Sequence, residues 1–110
     1  MTINKSDLRK HGYNEFADTI YHADAFFQKC VKDKLGKKYF INFYLYHDAN
    51  SDFNAGEYHF EVRLGFNTNY CYLDVAMVSF ETNDIAKIEE YVRYFFELNK
   101  GVYYEYYEEE

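Results

Sequence analysis

Asp48, Asn50, Asp52 and Asn54 alternate through one turn-forming segment, in the manner of oxygen ligands to a hard cation. A helix–loop–helix calcium site needs glycine at its sixth position and a bidentate glutamate at its twelfth. Counted from Asp48, those positions hold Phe53 and His59, so the segment reads as a polar hairpin connection. His11, His22, His47 and His59 show no zinc-ligand spacing. Cys30 carries no local signature of a thiol nucleophile, and Cys30 with Cys71 is too few for the disulfide framework of a small secreted domain. Five glycines, none closely paired, make no phosphate-cradling loop. The expectation is a protein without metal, cofactor or catalytic centre.

What remains is charge and tyrosine. Residues 1–38 hold eight basic and five acidic side chains, a balance of +3, whereas residues 39–110 hold four basic and fourteen acidic, a balance of −10. The net −7 opposes nucleic-acid binding by general phosphate attraction. It suits docking onto a basic protein instead. The candidate contacts are Asp48 and Asp52 at the hairpin tip, then Glu89, Glu90 and Glu97 on a C-terminal helix. The Tyr/Glu-rich tail, residues 102–110, adds Tyr103, Tyr104, Glu105, Tyr106, Tyr107, Glu108 and Glu109. Tyrosine combines a large contact area with a hydroxyl at low entropic cost, which is why it is enriched at interfaces.

These side chains need elements to position them. Residues 1–110 read as a single domain. Ser6–His11, closed by Gly12, reads as a short helical turn. Asn14 then reads as the N-cap of a long helix from Glu15 to about Lys34, with Phe16, Ile20, Ala23, Phe27 and Val31 on one face and Gly36 as its C-cap. Tyr39–His47, Glu57–Phe66 and Tyr70–Phe80 read as strands. In the second of these, Tyr58, Phe60, Val62 and Leu64 face inward. Phe40, Tyr44 and Tyr46 form an outward set beside Glu61, Arg63, Tyr70, Tyr72 and Asp74. Thr82-Asn83-Asp84 caps a final helix with Ile85, Ile88, Val92 and Phe95 on its apolar stripe and Gly101 as its stop. The expected fold is α+β: a three-stranded antiparallel meander with two main helices, in the order α-β-β-β-α. Leu73 and Val75 complete the expected core.

The order α-β-β-β-α and the run Tyr103–Glu110 resemble the small acidic anti-CRISPR inhibitors made by phages and other mobile elements of low-GC bacteria. The composition agrees: 50 of 110 residues are Phe, Tyr, Met, Ile, Asn or Lys, residue types whose codons are AT-rich. The resemblance implies a DNA mimic, an inhibitor that fills the nucleic-acid groove of a nuclease with carboxylates in place of phosphates. A basic protein partner is expected, without direct DNA binding or a membrane, and a homodimer through the aromatic sheet face stays open. The start Met1-Thr2-Ile3-Asn4-Lys5 has no apolar segment behind its charge, which makes the bacterial cytoplasm the expected compartment. Two alternatives stand beside this reading. One is an immunity protein neutralising a basic toxin. The other is a sheet that stacks single-stranded nucleic acid on Tyr44, Tyr46, Tyr70 and Tyr72.

Overall fold

Alternation along the chain decides the architecture. In Ala25–Lys32, residues Ala25 and Phe27 are buried while Cys30 and Lys32 are exposed, a two-residue period that belongs to a strand. The computed structural model describes residues 1–17, 20–47, 56–68, 71–77 and 79–103. Its elements are β1 (Thr2–Asn4), α1 (Lys5–Lys10), β2 (Asn14–Phe16), β3 (Ala25–Lys32), β4 (Lys38–Tyr46), β5 (Glu57–Asn67), β6 (Tyr72–Ala76) and α2 (Ile85–Tyr103). The six strands form one antiparallel sheet in the order β1-β5-β4-β3-β2. β6 shares an edge of β5 with β1: β1 covers Glu57–His59 and β6 covers Arg63–Asn67.

The three-stranded meander with two main helices is therefore corrected. The fold is α+β, but among the described residues its sheet has six strands and only α2 is a long helix. The expected helix 15–34 is replaced by β2 and β3, and the expected Tyr70–Phe80 strand narrows to β6. Gly36 caps no helix. It adopts φ +80° in the β3–β4 turn, where its amide reaches the Asp33 carbonyl. The Asp33 carboxylate accepts from the Leu35 and Lys37 amides and holds that turn together.

The other glycine expectations divide. Gly12, at φ +88°, follows α1, and the bonds Gly12 N–H to Arg9 carbonyl and Tyr13 N–H to Leu8 carbonyl make a Schellman closure. Gly101 does not stop α2, which continues to Tyr103. One helical glycine costs roughly 1 kcal/mol, a small charge against a 19-residue helix anchored by its packing.

The core lies between the inner sheet face and the two helices. Phe27, Phe43 and Val62 pair across β3, β4 and β5, and Leu8, Ile88, Val92 and Phe96 close over that face. Tyr39 stacks on Phe96 with ring centroids 4.5 Å apart, pinning the later turns of α2 to β4. Val62 and Leu64 are buried, and Tyr58 and Phe60 pack against the core, as the strand pattern indicates. Phe16, Ile20 and Leu73 are exposed, contrary to their expected core positions, because β2 and β6 are edge strands and Ile20 lies in the loop between β2 and β3. Phe96, one residue beyond the expected Phe95, is fully buried. Cys30 and Cys71 are both exposed and free. Cys71 is bonded to Thr68 beside the end of β5, so β4 and β5 stand between it and Cys30. Three strand spacings, about 14 Å, exceed the reach of a disulfide.

Candidate functional site

α2 presents two faces because its apolar residues occupy two adjoining stripes. Asp84 begins it: the Asp84 carboxylate accepts from the Ala86 amide, and the Asp84 amide donates to the Thr82 hydroxyl. Ile85, Ile88, Val92 and Phe96 point into the core. Tyr91, Tyr94 and Leu98, rotated one step around the helix, stay outside, 57%, 64% and 66% exposed. On one side of this row lies an apolar groove of about 400 Å³ lined by Met77, Phe80, Phe95 and Leu98. On the other side a groove of about 780 Å³ separates α2 from the β3–β4 turn.

The wider groove has balanced charge. Lys32, Lys34 and Arg93 face Asp33, Glu90 and Glu97, with Tyr91 and Tyr94 completing the lining. Beneath it, burial raises the Tyr39 hydroxyl above the ordinary tyrosine range; Arg93 opposes that shift and Glu97 adds to it.

Of the acidic residues singled out on α2, Glu90 is exposed and Glu97 lines this groove. Glu89 turns inward instead. It forms a 2.7 Å ion pair with Lys29 and accepts a 3.0 Å hydrogen bond from the Tyr13 hydroxyl. Lys29 also lies 5.4 Å from the Tyr13 ring centroid. Glu89 thus compensates a lysine on the inner face of β3, with 22% of its side chain still exposed. Tyr103 is in the last turn of α2. Asp48, Asp52, Tyr104, Glu105, Tyr106, Tyr107, Glu108 and Glu109 lie outside the described residues. Tyr91, Tyr94, Leu98 and Arg93 escaped the sequence reading. For Tyr91, Tyr94 and Leu98 the signal was present as a second three- and four-residue repeat beside Ile88 and Val92.

The outer sheet face carries the expected aromatic set and closes it on itself. Tyr44 is 3% exposed, stacked on Phe26 at 4.7 Å and met edge-on by Tyr21 at 4.9 Å. Its hydroxyl donates to Asp74 Oδ2 at 2.8 Å. Asn42, fully buried, donates to Asp74 Oδ1 at 3.0 Å and to the Tyr72 hydroxyl at 2.7 Å, and accepts from Gln28 at 3.1 Å. Arg63 pairs with Glu61 and lies 4.1 Å from the Tyr21 ring centroid. The rings that base stacking would use are therefore engaged at Tyr44 and tethered at Tyr72, and Tyr70 lies outside the described residues.

These buried hydroxyls set an alkaline limit. Burial, then the Glu89 carboxylate, pushes the Tyr13 hydroxyl well above the ordinary value; burial, then the bond to Asp74, does the same for Tyr44. Each holds its proton more tightly in the folded chain than in the unfolded one. Their contribution is complete below about pH 10 and is lost as pH rises beyond it. In an absorbance titration of tyrosinate, these groups should ionise only together with loss of the near-ultraviolet dichroism. Smooth ionisation of all 14 tyrosines with the fold intact would contradict their burial.

Among the described residues no three His, Cys, Asp or Glu side chains converge as a metal site, and no helix is long and apolar enough to cross a membrane. No protein-family model, curated protein or solved structure matches the chain.

Proposed function

We propose that the protein is a non-enzymatic inhibitor of the phage anti-defence, anti-CRISPR-like type, which occupies the nucleic-acid groove of a basic partner such as a nuclease. The observation that carries this reading is the outward face of α2, where Tyr91 and Tyr94 stand exposed beside Glu90 and Glu97. The acidic surplus after residue 38 extends the same chemistry through the run Tyr103–Glu110. Carboxylates take the place of phosphates opposite Arg and Lys through charge-assisted hydrogen bonds, and the tyrosines supply the contact area that charge alone lacks. Lys32, Lys34 and Arg93 in the wide groove would meet carboxylates on the partner's rim, which fixes orientation as much as affinity.

The test is a charge-neutral tail. Replacing Glu105, Glu108, Glu109 and Glu110 together with glutamine removes four charges. At about 0.2–1 kcal/mol per exposed pair, binding to the captured partner should weaken by roughly tenfold or more at low salt. The loss should shrink at high salt, with the melting temperature unchanged or slightly raised. Unchanged affinity at every ionic strength would remove the tail from the interface.

A further inference from the structure

We infer that the apolar groove beside α2 is the seat of an arginine side chain of the partner, held between aromatic rings and a carboxylate. The occupant rests on the basic-partner reading; the chemistry of the groove does not. Phe80, Tyr91, Tyr94 and Phe95 bring four rings to a space of about 400 Å³. Among the described residues that line it, Glu81 is the one that carries charge. Phe80 and Tyr91 form one wall, with ring centroids 5.8 Å apart and planes inclined at 38°. Phe80 and Glu81 are consecutive, so ring and carboxylate reach the groove from one segment, the one that leads from β6 into α2.

Charge decides the class of occupant. The faces of aromatic rings carry negative potential and attract cations. Glu81 adds a full negative charge, and it pairs with no lysine or arginine among the described residues. Lys32, Lys34 and Arg93 line the wide groove on the other side of the Tyr91–Tyr94 row and leave this one without an internal cation. A phosphate or carboxylate entering here would meet Glu81 with like charge. A purely apolar anchor would cover the carboxylate and give it no partner. Arginine satisfies the whole lining. Its guanidinium stacks on rings and forks onto a carboxylate, while its methylene stem lies against Met77 and Leu98. A lysine ammonium is more strongly hydrated and makes no such fork.

Titration of the full chain with N-acetyl-arginine amide at low salt, followed by the NMR shifts of the Phe80, Tyr91 and Tyr94 rings, tests the groove without any partner. The shifts should saturate with the arginine amide, appear with roughly fivefold weaker affinity with the lysine amide, and be absent with the uncharged norleucine amide. Glu81→Gln should weaken the arginine amide roughly threefold, with the loss shrinking at high salt. Tyr94→Leu keeps an apolar surface but removes a ring, and should erase the preference for arginine over lysine. Both sites are exposed, so melting temperatures matching wild type separate loss of the groove from loss of the fold. Equal affinity for the norleucine or lysine amide would overturn the inference. So would undiminished arginine binding in Glu81→Gln and Tyr94→Leu. The two readings fail separately. An arginine-binding groove stands even if affinity capture returns no basic protein, and a captured basic protein does not rescue a groove that ignores the arginine amide.

Discussion

Asn42→Asp should be the most damaging conservative substitution in the protein, costing about 3–5 kcal/mol at neutral pH, the range seen when a buried charge is left uncompensated. The side chain keeps its shape and changes its chemistry. The Asn42 amide nitrogen donates to Asp74 Oδ1 at 3.0 Å and to the Tyr72 hydroxyl at 2.7 Å, at a site with no solvent exposure. A carboxylate there donates nothing and faces the Asp74 carboxylate across the same gap. Like charges so close cannot both ionise in a dry site, so the folded variant retains one shared proton. The unfolded chain releases that proton near the ordinary carboxylate value, about 4. The excess cost should therefore be small below about pH 4 and grow as pH rises toward neutral, when only the folded state still binds the proton. Urea melts of wild type and variant at several pH values measure it. Equal stabilities at neutral pH would show that Asn42 does not bridge Asp74 and Tyr72.

Gly65→Ala should cost about 3 kcal/mol, from a methyl group added where the sheet has no room for one. On the outer face Gly65 pairs with Phe40 on one side and Asp74 on the other. The Tyr72 ring crosses directly above it. A Cβ at residue 65 would overlap the Tyr72 hydroxyl oxygen and lie 2.6 Å from Tyr72 Cζ and 2.7 Å from Asn42 Nδ2. Tyr72 is 42% exposed and can swing outward, but doing so surrenders the hydrogen bonds from Asn42 and Gln28. The buried Asn42 amide is then short of an acceptor, which carries most of the cost. Tyr72→Ala removes the nearer obstacle and leaves only the Asn42 amide to give way. The double variant should therefore be more stable than the sum of the two single effects predicts, by at least about 1 kcal/mol. Strict additivity in denaturant melts would place the Tyr72 ring elsewhere.

Much of the outer face was legible before the fold. Strict alternation in β4 and β5 assigns Tyr44, Glu61 and Arg63 to one side, and Tyr72 and Asp74 follow from the pairing of β6. The cap at Asp84 and the buried set Ile85, Ile88 and Val92 were equally readable, since each signal is local. β3 was not. A step of four residues satisfies a strand's period of two as well as a helix's 3.6, so Phe27 and Val31 fit either description. The arbiter would have been Ala25, Phe27, Lys29 and Val31 in alternation, and Lys29 breaks that apolar pattern. It sits on the inner face because Glu89 neutralises it from α2, 60 positions away in sequence, which no local window contains. β1 and β2, three residues each, are too short to show any period and exist through their partners. At the candidate site, the acidic bias was legible as a count. The inward pairing of Glu89 with Lys29 and the exposure of Tyr91 and Tyr94 depend on how α2 is rotated against the sheet.

The most direct test of a basic partner met by the α2 face is comparative affinity capture at low salt. The baits are wild-type protein and a variant carrying Tyr94→Ala, Glu90→Gln and Glu97→Gln, with extracts of a low-GC bacterium quantified by mass spectrometry. All three sites lie on the solvent side of α2 or in its open groove, and matched melting curves establish that both baits are folded. The wild-type bait should retain a basic nucleic-acid-binding protein that the variant loses and that added duplex DNA displaces. Identical captured sets on the two baits, or a wild-type set made only of acidic or membrane proteins, would contradict the account.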